Sequence, residues 1–430
     1  MSERRVGLRL GWEHTHRELL PALIALNWLK RQGVTGRLEH MSSLGAAPGG
    51  REVVMVPFYY DDQVRDRYLT LHDLSARWFV NLAYEQMHFR CGRGYLLPDG
   101  AFAREQMLHC AWGDVFRDLL IGHGIPEERI RVTGHPRFDL YHRPELLLGR
   151  RALAARYDLD PDAPWVLVPY NFNMAYISDL LRRQLLDRKY ELTSEFLAGF
   201  AQARDAFTEL VRTLADEFPE IVFILRVHPA GYEAESLYHG ESKRRSNIHV
   251  IAEFDIANWI SEAALTVVWN STSSMEAMVA QRPVICYEPF PFSEIFEYDV
   301  NRIVPTFRSK DDILEVVRRL PNPELSYDWQ LFERWYRHRD GRNIERFCAI
   351  VDEAEQDYER FVCRVSTASS RRVTVGRRVG RLLGGAPKVK RVAERLLGVD
   401  SPAVMAAPPE AALGTAVSEL SSLPLLDYLR

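Results

Sequence analysis

The chain has 430 residues, 47% apolar and 27% charged, with a formal net charge of −4; that length points to two domains of roughly 150–200 residues each. The slightly acidic balance argues against general nucleic-acid affinity, and no apolar run is long enough for a membrane span or a signal peptide. The five cysteines are scattered without CxxC or CxxH spacing, which argues against a disulfide framework or a zinc site and fits a reducing cytoplasm.

Apolar runs alternate with amphipathic stretches from the start, the signature of βα units around parallel sheets. RVGLRL (5–10) reads as a strand and residues 16–33 as the helix after it, closed by Gly33. GRLEHM (36–41), EVVMVPF (52–58), WFVNLAY (78–84) and QMLHCAWG (106–113) follow as strands, then a helix over 114–124 and a strand RIRVTG (129–134). HPRFDLYHRPELL (135–147) interrupts the rhythm with two prolines, and the domain junction falls near residues 140–160. The second series has strands at 165–170, 220–229, 247–252, 265–269 and 283–288, with helices at about 194–217, 255–263, 271–281 and 309–320. A last helical stretch from about Trp329 to Cys363 closes the globular part. The expected fold is α/β, with a Rossmann-like first domain over 1–150, a second over 151–322, closing helices over 323–363 and a tail over 364–430.

The tail changes composition. Residues 364–398 are rich in Lys and Arg interleaved with Val and Leu, and the last thirty or so in Ala, Pro and Ser. Such sequence is expected to be loosely attached or disordered. The basic part reads either as a solvated linker or as a segment for anionic lipid, where each basic residue near the surface contributes about 1 kcal/mol.

In an open α/β sheet, ligands sit at the carboxyl ends of the strands. Three polar corners of the second domain fall there: Asn171-Phe172-Asn173, Arg226-Val227-His228-Pro229, and Asn270-Ser271-Thr272-Ser273-Ser274. The last begins a helix, which gathers unsatisfied N–H groups, the positive end of the helix dipole and hydroxyls around one point. Such a point favours phosphate. Glu276, a few residues on, would repel phosphate but could accept hydrogen bonds from a diol, so a nucleotide with its ribose fits the corner. An ordinary capped helix, with Ser271 or Thr272 as its N-cap, explains the same residues by structure alone.

RVHP at 226–229, followed some forty residues later by NSTSSMEAMVAQRPVICYEP, resembles the donor half of GT-B glycosyltransferases. The likeness is to bacterial surface-carbohydrate (capsule and O-antigen) biosynthesis proteins and to the CDP-glycerol glycerophosphotransferases. In the first half, VTGHPRFDLY, NLAYEQ and CAWGD resemble the junction segment and two strand ends of these proteins. The resemblance covers residues about 5–320. It implies two Rossmann-like domains facing across a cleft, with His228 and Ser271–Ser274 on the donor phosphates, Arg226 beside them and Glu276 on the ribose.

The glycerophosphotransferases carry a catalytic histidine where this chain has Ala83-Tyr84-Glu85, which argues against glycerol phosphate as the transferred group. Glu85 is then the expected general base, with Asp61 and Asp62 second and Glu13 third. Arg137 and Asp139 are expected to pair with each other and set the hinge. These readings imply a metal-independent transferase without cofactor, moving a sugar or polyol phosphate from a nucleotide-activated donor to a surface glycan or its lipid-linked precursor. It would be cytoplasmic and peripheral at the inner membrane face. The rivals are a UDP-sugar 2-epimerase and a non-catalytic scaffold of a glycan-assembly complex.

Overall fold

A computed structural model describes residues 6–13, 15–41, 51–69, 74, 77–87, 89, 92–176, 193–227, 240–290 and 296–364. The basic and Ala/Pro-rich tail beyond Arg364 and His228 lie outside them, as do the side chains of Asn173 and Cys91. Among the described residues, no helix is long and apolar enough to cross a membrane.

The first sheet contains β1 (Gly7–Trp12), β2 (Gly36–His40), β3 (Glu52–Val56), β4 (Arg77–Asn81), β5 (Met107–Ala111) and β6 (Ile130–Val132), in the order β2-β1-β3-β4-β5-β6. The second contains β7 (Trp165–Tyr170), β8 (Val222–Val227), β9 (Ile248–Ile251), β10 (Leu265–Val268), β11 (Val284–Tyr287) and β12 (Thr306–Phe307), in the order β12-β11-β10-β7-β8-β9. Every strand pairing in both is parallel. Parallel strands are covered on both faces, so they need continuous apolar runs rather than alternation. WVLVPY in β7 and VFILRV in β8 are of that kind, and all their residues are buried.

The expected helices over 16–33 and 271–281 are shorter in the structure. The first opens with a π-helical turn, Thr15–Leu19, before the α-helix Leu20–Arg31. The second is confined to Ser273–Val279. β12 is only two residues long and carries no recognisable run. The expected helix over 329–363 is two helices, Trp329–Trp335 and Asn343–Gln356, separated at Gly341 with φ +73°.

These last helices complete the first domain. Asp139 accepts from Asn343 N at 3.0 Å and Ile344 N at 2.7 Å, capping the final helix. Trp78 Nε1 donates to Tyr358 O at 2.6 Å, Cys363 N to Arg77 O at 2.8 Å, and Arg131 pairs with Glu353 at 2.5 Å. Gly134 makes room for this return. It has φ +73°, and a Cβ there would lie 2.1 Å from Asn343 Oδ1.

A first-domain segment also reaches across the cleft. Phe89 inserts among Phe196, Phe200, Phe296 and Tyr298 of the second domain, with centroid separations of 5.3–5.8 Å. Tyr298 OH donates to Met87 O at 3.4 Å in the same region.

Candidate active site

The loop after β1 forms one wall of the cleft. Glu18 is fully buried, because both its oxygens are engaged: Oε2 accepts from Glu13 N at 2.6 Å and Oε1 from Arg17 Nε at 3.0 Å and Nη2 at 2.7 Å. His40 Nε2 lies 3.2 Å from Glu13 O, consistent with donation to that carbonyl. The half-buried Glu13 carboxyl is pushed up to about 8, chiefly by burial, then by Glu18 and Glu85, with Arg17 opposing. A carboxyl titrating there changes charge near physiological pH.

Glu85 is exposed on the turn after β4, between two pinned residues. Before it, Ala83 takes φ +47° and donates its N–H to Asn81 Oδ1 at 3.0 Å. Asn81 Nδ2 faces His109 Nδ1 at 3.3 Å, and His109 Nε2 faces Ala103 O at 3.0 Å. Burial lowers His109 to about 4, so it is a neutral ring that accepts at Nδ1 and donates at Nε2. After it, Gln86 bridges Cys110 O and Trp112 N at 3.0 and 2.8 Å. The charge of Glu85 acts on Glu13 and Arg17 and on Tyr298 of the second domain, which locates it where the domains meet.

Asp61 and Asp62 bond within the local chain. Asp61 Oδ1 accepts from Gln63 N at 2.8 Å as an N-cap, and Asp62 accepts from Tyr59 OH at 2.8 Å and pairs with Arg65 at 3.3 Å.

The second-domain part of the candidate site is the corner after β10, linked to the Arg17 stretch through Arg137. Asn270 is 2% exposed with φ +46°, a left-handed conformation that asparagine tolerates. Its Oδ1 accepts from Asn301 Nδ2 at 2.5 Å and its carbonyl from Asn171 Nδ2 at 3.0 Å, while its buried Nδ2 has no acceptor among the described residues. Ser271 Oγ accepts from Ser273 N at 3.3 Å and donates to Ser273 Oγ at 3.1 Å; Ser274 Oγ donates to Ser271 O at 2.6 Å. Thr272 stands at the N-cap position, but no side chain caps the helix from there. Asn173 opens the 3₁₀ turn Asn173–Tyr176.

Arg226 departs from the expected phosphate contact. It is buried, and its guanidinium donates to the carbonyls of Ile251 and Phe254, holding the chain that leaves β9. A buried guanidinium needs acceptors, and these carbonyls supply them.

Arg137 also departs from expectation. It pairs with Asp255 and Glu276, while Asp139 caps the last helix. Arg137 Nη1 and Nη2 reach Asp255 at 2.8 and 2.7 Å, Nε and Nη2 reach Glu276 Oε2 at 3.1 and 2.9 Å, and Nη1 also donates to Arg17 O. Tyr141 OH donates to the same Glu276 oxygen at 2.7 Å. One Glu276 oxygen is therefore filled by protein donors, which leaves Oε1 for any ligand hydroxyl. His135, stacked 4.0 Å from Trp112, is held well below its ordinary pKa by burial and then by Arg137 and Arg17.

Sequence reading alone did not single out Glu18, Arg17, Tyr141 or Asp255. Glu18 and Arg17 fall in a helical pattern where charges usually face water, and Asp255 looks like the helix cap that it also is, accepting from Ala257 N at 2.9 Å. Among the described residues, no group of three or more His, Cys, Asp or Glu is placed to hold a metal.

No protein-family model matches the chain, and no curated protein sequence matches it. Solved structures do. The wall teichoic acid polymerase TagF superposes with a TM-score of 0.54 at 10% identity, covering 82% of this chain and 90% of that one. TagF soaked with CDPG gives 0.52 at 10% identity, covering 83% and 90%. The UDP-GlcNAc 2-epimerase of Methanocaldococcus jannaschii gives 0.47 at 12% identity, covering 81% and 99%. The likeness to TagF, with two six-stranded parallel sheets, shows that the chain has the two-domain GT-B fold expected from its sequence.

Proposed function

We propose that this chain is a GT-B transferase that moves a sugar or polyol phosphate from a nucleotide-activated donor to a surface glycan or its lipid-linked precursor. The observation that carries the reading is the geometry around Arg137, whose guanidinium bonds both the Arg17 carbonyl beside the acidic cluster Glu13, Glu18 and Glu85 and the Glu276 carboxylate on the helix of the hydroxyl- and amide-rich corner Asn270–Ser274.

In this mechanism Glu13, once ionised, takes the proton of the acceptor hydroxyl. Glu85 stays close enough to raise the affinity of Glu13 for that proton, and is the alternative base. The donor phosphates rest against Ser271, Thr272, Ser273, Ser274 and Asn270 Nδ2, with Asn171 beside them and Arg226 bracing the corner from behind; His228 and Asn173, expected from the sequence to add to this site, are assigned the same role as a proposal. Glu276 Oε1 receives a ribose hydroxyl. Helix-terminal N–H groups and preorganised hydroxyls stabilise the leaving phosphate without a metal ion. The likeness to TagF, one of whose structures was soaked with CDPG, supports a nucleotide-linked donor. The proposed setting is the cytoplasmic face of the membrane, with the basic residues 364–398 as the lipid contact.

The test measures free nucleotide released from CDP- and UDP-linked donors, with and without a panel of glycan and lipid-linked acceptors. Acceptor-dependent release that Glu13→Gln abolishes supports the reading. Acceptor-independent release would favour the epimerase-type alternative, and nucleotide binding without turnover across the panel would favour a scaffold.

A further inference from the structure

Arg137 lies on the segment Pro136–His142 that joins the domains, and its five side-chain N–H donors go to three separate stretches of chain. One is the backbone of Arg17, in the loop whose Glu13 N–H is held by Glu18. The second is Asp255, after β9, and the third is Glu276, on the helix that begins at the Ser271–Ser274 corner. The planar fork of an arginine fixes distances and angles among its acceptors, which a lysine ammonium does not.

We propose that Arg137 is a positioning residue that keeps the Glu13 loop in register with the helix of the Ser271–Ser274 corner, so that a nucleotide seated there steadies the loop opposite. This rests on reading that corner as a nucleotide site. Ligand contact at Glu276 Oε1 fixes a carboxylate whose other oxygen is already bound to Arg137, and the same guanidinium holds the carbonyl of Arg17. Tyr141 touches Glu276 but, among the described residues, makes no bond to the loop, so it serves as the internal control.

Hydrogen–deuterium exchange on the full chain, with and without CDP or UDP, tests this. In the wild type, nucleotide should slow exchange both in peptides covering 271–276 and in those covering 13–19, the latter by about fivefold or more, the lower end of ordinary coupling between sites. Arg137→Lys should keep the slowing at 271–276 and lose it at 13–19. Asp255→Asn, which retains the guanidinium and removes one anionic partner, should weaken the effect at 13–19, and Tyr141→Phe should leave it in place. Slowing at 271–276 with no change at 13–19 in the wild type overturns the positioning role and leaves the nucleotide site standing. Full slowing at 13–19 in Arg137→Lys, or its loss in Tyr141→Phe, also overturns it. If neither nucleotide slows exchange at 271–276, the corner is not a nucleotide site and the proposal falls with it.

Discussion

The two walls of the cleft are built on opposite electrostatic plans. The first-domain wall gathers Glu13, Glu18 and Glu85 around a single Arg17, and burial with mutual repulsion drives one of the three toward its protonated form. The second-domain corner presents neutral donors, namely serine hydroxyls, asparagine amides and the first N–H groups of the helix Ser273–Val279, beside one carboxylate, Glu276, that is paired with Arg137. The proposed chemistry follows that difference. A wall with a proton affinity near neutrality suits removing a proton, and a wall of preorganised neutral donors suits receiving an anion. Arg137 joins the two, with its charge spent on Asp255 and Glu276 rather than on the cleft.

The contrast is broken most severely by removing the perturbed acid. Glu13→Gln is expected to lower turnover by roughly 10²–10⁴-fold, the usual range for a lost general base, while calorimetric nucleotide affinity stays near wild type. Turnover in Glu85→Gln should fall less, and its pH–rate midpoint should move below about 8, because one of the charges that raises Glu13 is gone.

The next effect is on stability. Gly134→Ala forces a side chain into a left-handed position against Asn343, and a strained residue there costs about 1–3 kcal/mol. The first unfolding transition should drop in calorimetry, since Gly134 packs directly against Asn343 at the start of the helix Asn343–Gln356. An unchanged transition would show that the close approach at Asn343 is not needed for stability.

On the neutral wall the expected changes are smaller. Asn270→Ala and Ser273→Ala should each weaken nucleotide binding by a few-fold to about tenfold, as lost hydrogen bonds of roughly 0.5–1.5 kcal/mol do. His228→Ala should cost about tenfold or more if it meets phosphate with charge assistance. Equal affinity in all three would move the anion site elsewhere.

Stability against pH separates the walls more gently. The Glu13 carboxyl titrates higher in the folded chain, about 8, than its ordinary 4.5. A raised carboxyl adds stability that is complete below the unfolded value and is lost as pH rises through the folded one. Denaturation midpoints should therefore decline between about pH 4.5 and 8, and Glu13→Gln should flatten that decline. Least of all, Asp61→Asn and Asp62→Asn should leave turnover within about twofold, since surface caps and pairs contribute little.

Much of this fold could be read from the sequence, because parallel strands are written as apolar runs and helices as periodic stretches. WVLVPY and the helix Ser194–Glu217 fall where the pattern puts them. What could not be read were the partners of buried charges. Arg137 and Asp139 are two residues apart and look like a pair, yet each finds its acceptors or donors over a hundred residues away. The surroundings of Glu85, Asp61 and Glu13 were equally hidden: sequence shows that a carboxylate follows a strand, but not how deeply each is buried or which charges lie beside it. Arg226 looked like a phosphate ligand because it precedes His228, and only the carbonyls of Ile251 and Phe254 reveal where it turns.

The division of labour between the walls is tested most directly by a crystal structure of the chain with a bound nucleoside diphosphate, tried with CDP, UDP and GDP. The expected result puts the phosphates against Ser271–Ser274 and Asn270 Nδ2, a ribose hydroxyl on Glu276 Oε1, and Glu13 across the cleft with no phosphate contact. Phosphates seated on the Glu13 wall, or none of the nucleotides bound at the Asn270–Ser274 corner, would contradict it.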